Sequence, residues 1–153
     1  MAHPAASVSI AALIEQVWAV MLDTESHGEW NPFVEKADCA AATVGEPIVL
    51  HVRWANGRTT TSPERISIVD PPHDEGGVRR ATLAYVYEGL PAKLGLVKGT
   101  RYQRLSQEPG GPTRYETIEE FSGPLVKLAG PGRVAEGFRR HAEALKLRCE
   151  SAG

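Results

Sequence analysis

The chain has 153 residues, of which 42% are hydrophobic and 24% charged, with 17 basic side chains against 19 acidic ones and a formal charge of -2. That length and apolar content fit one domain with one substantial core. The near balance of charge, with Lys and Arg scattered, offers no basic field for phosphates and excludes nucleic acid as an expected partner. No apolar run reaches the length of a membrane span, and Met1 to Ser7 lacks the basic start and apolar block of a signal peptide; a cytoplasmic chain is expected. Cys39 and Cys149 form neither a CxxC pair nor a disulfide framework, so both are read as free thiols.

From the N-terminus, Ser7 to Ile10 alternates polar and apolar as a half-buried strand does. Leu13 to Leu22 then changes period. Ile14, Val17, Trp18, Met21 and Leu22 fall on one helical face, with Glu15 and Gln16 off it. Asp23 to Gly28 is polar, with room for one more helical turn. At Trp30-Asn31-Pro32-Phe33 any helix must stop, because a residue before proline is biased toward extended backbone.

Six strand patterns follow: Phe33 to Cys39, Pro47 to Trp54, Glu64 to Asp70, Arg79 to Tyr87, Gly99 to Ser106 and Thr113 to Phe121. In the second, Ile48, Leu50, Val52 and Trp54 alternate with His51 and Arg53, which are assigned to the outer face. In the third, Ile66 and Ile68 are assigned inward. Asp70 to Gly77 and Glu108 to Pro112 carry Pro, Gly and charge and are read as loops. The last segment, Arg133 to Glu150, follows Gly130-Pro131-Gly132 and is a long amphipathic helix. Val134, Phe138, His141, Ala142, Leu145 and Cys149 share one face.

One strand, a helical pair, six strands in succession and one long helix predict an α+β fold. Its seven-stranded antiparallel sheet is wrapped around the C-terminal helix, which is the only long element able to cover the inner face. Meander parity puts the links 55–63, 88–98 and 122–132 at one end, together with the junction at Trp30. Those links contain Leu90, Leu94, Leu96, Val97, Leu125, Val126 and Leu128. They form either a pocket mouth or a cluster packed on itself under the helix.

The order of elements, the Trp30-Asn31-Pro32-Phe33 junction, Gly99-Thr100-Arg101-Tyr102, Thr113 to Thr117 leading into Phe121-Ser122-Gly123-Pro124-Leu125, and Glu136-Gly137-Phe138 resemble the START-like, or SRPBCC, superfamily. Within it, the similarity is to proteins labelled polyketide cyclase/dehydrase and lipid transport, and it spans nearly the whole chain. The resemblance implies a helix-grip fold with a deep cavity between the sheet and the last helix, used for lipids, polyketides, sterols or hormones. It does not imply one activity.

Catalytic signatures are sparse. There is no GxSxG, HExxH, phosphate-cradling loop or GxGxxG, so no cofactor and no metal are expected. His73-Asp74-Glu75 has metal-ligand residue types but sits in a Pro/Gly turn and reads as solvated loop. A ligand in the implied cavity would meet Phe33, Leu50, Val52, Trp54, Ile66 and Ile68. Leu83, Tyr85 and Phe121 would reach it from later strands, Val134, Phe138 and Leu145 from the helix, and Trp30 at the mouth.

The polar candidates divide between two readings. His141 is turned toward the sheet, either as a core histidine bonded to a neighbour or as a donor to a ligand. Glu119 and Glu120 are adjacent in a strand, so one looks inward and one outward. Arg101 and Arg104 lie on opposite strand faces, and one of them is read as meeting Glu119 or Glu120 in a cross-strand ion pair or as a partner for a ligand carboxylate. Tyr102, with Tyr85, Tyr87 and Tyr115, offers a hydroxyl. Two principal functions remain open: a carrier or sensor of a hydrophobic small molecule, or a cofactor-independent polyketide cyclase, dehydratase or aromatase using His141, Glu119 or Glu120, and Tyr102. A protein-binding module built on the apolar links is a third. Monomer and homodimer are equally compatible with the sequence.

Overall fold

The computed structural model describes residues His3 to Ala152. Strand β1 is Ala5–Ile10 and helix α1 is Ile14–Leu22, followed by a 3-10 turn at Thr24–Glu29. Strands β2 Val34–Asp38, β3 Pro47–Arg53, β4 Thr59–Glu75 and β5 Val78–Tyr87 come next. A short helix α2, Leu90–Lys93, leads to β6 Lys98–Gln107 and β7 Thr113–Ser122. A second 3-10 turn at Val126–Ala129 leads into α3, Pro131–Ala152. The strands form one curled antiparallel sheet in the order β1-β7-β6-β5-β4-β3-β2. Among the described residues, no helix is long and apolar enough to cross a membrane.

The apolar face of α3 meets the sheet as its spacing requires: Val134, Phe138, His141, Ala142, Leu145 and Cys149 are all buried. Its outer face is tied by Arg139 and Arg140 to Glu136 and by Arg139 to Glu143. Arg140 also donates to the carbonyls of Pro32 and Arg53, at 3.2 and 3.1 Å, which fixes the N-terminal half of α3 to β2 and β3. Gly137 lets the sheet come close, because a Cβ there would collide with the Phe33 ring. At the other side, the backbone N–H of Ile14 donates to Gln107 Oε1 at 3.1 Å and joins α1 to β6.

Two sequence expectations change here. The stretch Asp70 to Gly77 is a continuation of β4, pairing as far as Glu75 with Val78, and the turn is only Gly76-Gly77, both at positive φ. Such a two-residue turn suits the twist of a hairpin and requires glycine-like backbone. Pro71 and Pro72 are tolerated because they fall where the register shifts, between Asp70 and His73, so no ladder N–H is lost there. A second shift, between Ile66 and Ile68, reverses the alternation. Ile66 stays in the core and Val69 takes the next inward place opposite Leu83, so Ile68 does not face the interior as expected.

Candidate functional site

Between the curled sheet and the N-terminal half of α3 lies a cavity of about 410 Å³. Its walls are Phe33, Val34, Leu50 and Val52 from the β2–β3 side and Phe121 from β7, with Val134 and Phe138 from the helix. Pro91, Leu96 and Val97 from the α2 link, and Leu125, Leu128 and Ala129 from the link before α3, frame one end. Leu90, Leu94 and Leu128 of these links are among the exposed large hydrophobic residues, Leu128 being 75% exposed. Arg133 also borders this end, its guanidinium 4.3 Å from the Trp54 ring centroid.

The inner end of the cavity is polar, and its order begins at the proline junction. Asn31 Oδ1 accepts from the backbone N–H groups of Phe33 and Val34, both at 3.0 Å, which settles the amide's orientation. Its Nδ2 therefore donates, and it reaches His141 Nδ1 at 3.1 Å. Arg101 Nη2 donates to the same nitrogen at 3.3 Å. A nitrogen that receives two donors carries no proton, so His141 is neutral with its hydrogen on Nε2. Burial holds its pKa well below the ordinary histidine value, and the charge of Arg101 pushes the same way. The imidazole stacks on Tyr115, 11° from parallel. Arg101 is further fixed by Nε donating to Thr117 Oγ1 at 2.8 Å and by the Phe138 ring, whose centroid is 4.3 Å from the guanidinium carbon. Tyr115 donates to Gln103 Oε1 at 2.6 Å. These bonds tie the side chains of the floor to one another.

Two carboxyls beside it take no part in these bonds. Glu64 on β4 accepts from Ser62 Oγ at 2.9 Å through Oε2, while its buried Oε1 has no partner. Glu119 on β7 lies over Gly99, where a Cβ would approach its Oε2 to 2.7 Å; the absent side chain is what makes room for the carboxyl. Both line the cavity together with Arg101. Burial pushes both carboxyls above the usual carboxylate range, Glu64 to about 7 and Glu119 to about 8, with the proximity of Glu64 adding to the rise at Glu119. Arg101 opposes the rise at each without forming a salt bridge to either, among the described residues.

Of the residues expected at a site, Phe33, Leu50, Val52, Trp54, Phe121, Val134, Phe138 and Glu119 line the cavity. Ile66, Leu83, Tyr85 and Leu145 are buried in the core outside its lining, and Trp30 packs edge-on against His141. His141 is in the floor, one layer behind Arg101, and does not line the cavity. Glu120 is exposed and Tyr102 stacks with Arg104 at 4.4 Å on the outer face, so neither is placed where catalytic use would require. The ion pair expected between Arg101 or Arg104 and Glu119 or Glu120 is not formed among the described residues; the outer Arg104 instead lies 3.9 Å from Glu116. Glu64 was not anticipated, although Ser62, Glu64 and Ile66 alternate onto one face and the pattern was there to be read. Among the described residues, no group of three His, Cys, Asp or Glu is arranged to hold a metal ion.

The model of the polyketide cyclase/dehydrase and lipid-transport family matches residues 1–150. No curated protein matches the chain. Among solved structures, the Zhui aromatase/cyclase from a Streptomyces species is similar with a TM-score of 0.73 at 19% identity, covering 97% of this chain and 93% of that one. A START superfamily protein from Mycobacterium smegmatis has a TM-score of 0.63 at 17% identity over 99% of both chains. A hypothetical protein from Helicobacter pylori has a TM-score of 0.70 at 11% identity, covering 97% of this chain and 88% of that one. At such identities the structures share a fold, the helix-grip arrangement of sheet and C-terminal helix.

Proposed function

We infer that this chain, which belongs to the polyketide cyclase/dehydrase and lipid-transport family, reversibly binds a hydrophobic small molecule with a hydrogen-bonding polar end, as a carrier or sensor. Family and fold fit hydrophobic ligand binding or polyketide cyclisation in general. The observation that carries the narrower reading is the cavity itself: about 410 Å³ of space with mainly apolar walls and with Glu64, Arg101 and Glu119 among its few polar lining residues. Pockets of this volume with few, placed polar groups suit a small amphiphile lying head inward. The exposed leucines of the two links give the tail an apolar path to the opening.

Thermal unfolding in the presence of such molecules tests this, because a ligand selective for the folded chain raises the melting temperature with concentration. The bound molecule is expected to return unaltered after denaturation. Val52→Phe, which fills the cavity from β3, should abolish the shift while the chain stays folded. A shift that survives this substitution would place the ligand elsewhere.

A second reading is favoured by the carboxyls. A carboxylate at Glu64 or Glu119 could take a proton from the acidic methylene between two carbonyls of a bound poly-β-ketone. As the resulting carbanion attacks a further carbonyl carbon, the neutral carboxyl of the pair would give its proton to that carbonyl oxygen. Ring closure by this aldol step needs no cofactor. Incubation with linear poly-β-ketones followed by product analysis separates the two readings. Cyclised product whose kcat falls in Glu119→Gln with little change in KM supports the cyclase; unchanged substrate recovered from the folded protein supports the carrier.

A further inference from the structure

The charge at the inner end of the cavity is set by few groups. Glu64 comes from β4, Arg101 from β6 and Glu119 from β7. From β5, the phenols of Tyr85 and Tyr87 are pushed further from ionisation by burial and remain neutral near neutral pH. From α3, His141 is held neutral by its two donors, and Arg133 stands at the opposite, exposed end over Trp54. One permanent positive charge therefore faces two carboxyls. With both ionised, the buried cluster carries an uncompensated negative charge, which a low-dielectric interior penalises heavily. With one ionised, it is neutral.

The hydrogen bonds lead to the same state. Glu64 Oε1 is buried without a partner, and no donor reaches Glu119 among the described residues. A carboxylate together with a carboxylic acid would present the cavity with one open acceptor and one open donor. The group that satisfies both is an uncharged hydroxyl able to donate and accept. A ligand carboxylate would return the excess negative charge unless it brought a proton with it.

We propose that Glu64 and Glu119 hold one proton between them opposite Arg101, so that the cavity selects apolar ligands ending in an uncharged hydroxyl, a phenol or an enol, over ligands ending in a carboxylate. Carboxylate-bearing ligands enter only with the uptake of about one proton. This rests on the reading of the cavity as a binding site, and the test below separates failure of that reading from failure of the selectivity.

Calorimetric titration of the full chain with naphthol and with naphthoate, matched in size and differing in the polar group, reads both affinity and proton uptake when repeated in buffers of different protonation enthalpy. Naphthol is expected to bind with little pH dependence and no net proton exchange. Naphthoate is expected to take up about one proton and to weaken about tenfold per pH unit as the pH rises toward 8. In the isosteric double variant Glu64→Gln with Glu119→Gln, Arg101 is left as the sole charge, and the preference should reverse to naphthoate with proton uptake lost. Equal, pH-independent binding of the two probes by the unaltered chain would overturn the proposal, as would a double variant that still prefers naphthol. Binding of neither probe would overturn the binding reading itself and the selectivity with it.

Discussion

At the floor of the inner face, Asn31, His141, Arg101, Thr117, Gln103 and Tyr115 are buried, and side-chain hydrogen bonds join each of them to another. In the cavity wall, Glu64 and Glu119 are each only 8% exposed, yet one oxygen of Glu64 is orphaned and Glu119 has no donor among the described residues. The contrast separates two uses of a buried polar group. A bonded network fixes geometry, here the tautomer of His141 and the plane of Arg101. An unsatisfied pair keeps its bonding capacity and its proton equilibrium available to whatever enters the cavity.

Breaking the floor should cost most. His141→Ala leaves Asn31 Nδ2 without its acceptor and Arg101 without one of its two, beside a new void, and should lower unfolding stability by about 4 kcal/mol in chemical denaturation. A loss below about 1 kcal/mol would mean that the network is not structural. Phe138→Ala removes a ring that packs on Arg101 and Phe33; because it borders open space, a loss of about 3 kcal/mol is expected, with ligand uptake reduced. No change in either measurement would show that the ring's buried position is incidental.

The wall should respond to pH where the floor does not. A carboxyl that holds its proton more tightly when folded contributes stability that is fully present below its unfolded value near 4.5 and is lost as the pH rises through about 7 and 8. His141 and His27, kept neutral by burial, contribute stability that is present above 6.5 and lost as the pH falls below it. From 6.5 upward to 8 the carboxyls dominate among the buried groups, and the melting temperature should decline. The stability gained by Glu119→Gln relative to the unaltered chain should therefore be larger near pH 8 than near pH 6, by about 2 kcal/mol. Equal effects at both values would assign the change to packing. Smallest of all, Leu128→Ser at the opening should alter stability by less than about 0.5 kcal/mol while weakening ligand uptake, since the side chain is 75% exposed and borders the cavity.

Much of this contrast was written in the sequence as alternation. Phe121 is apolar and inward, so Glu119, Thr117 and Tyr115 share its face and Glu120 cannot; Leu105 similarly fixes Gln103, Arg101 and Gly99 as inward and Arg104 as outward. Glu64 is hidden in the sequence because the apolar pattern of β4 begins only after it, which leaves its alternation with Ser62 unmarked. Ile68 was misassigned because a register shift leaves no mark in a run of apolar residues, and two prolines and two glycines made the end of β4 read as loop. The bond from Asn31 to His141 joins residues 110 positions apart, and only the folded chain brings them together. A cavity of given volume is likewise a property of how far the sheet curls from the helix, which no local pattern encodes.

The most direct measurement is the pH titration of the Glu64 and Glu119 side-chain carboxyl carbons by NMR, assigned with the two glutamine variants. The expected result is that the pair gives up its two protons in separate steps, both above the ordinary carboxylate range, so that one proton is held between them from about pH 7 to about 8, and that a bound naphthol shifts both resonances. Two carboxyls titrating together near 4.5 and indifferent to any apolar probe would contradict the assignment of the inner wall as the neutral, ligand-receiving end of the cavity.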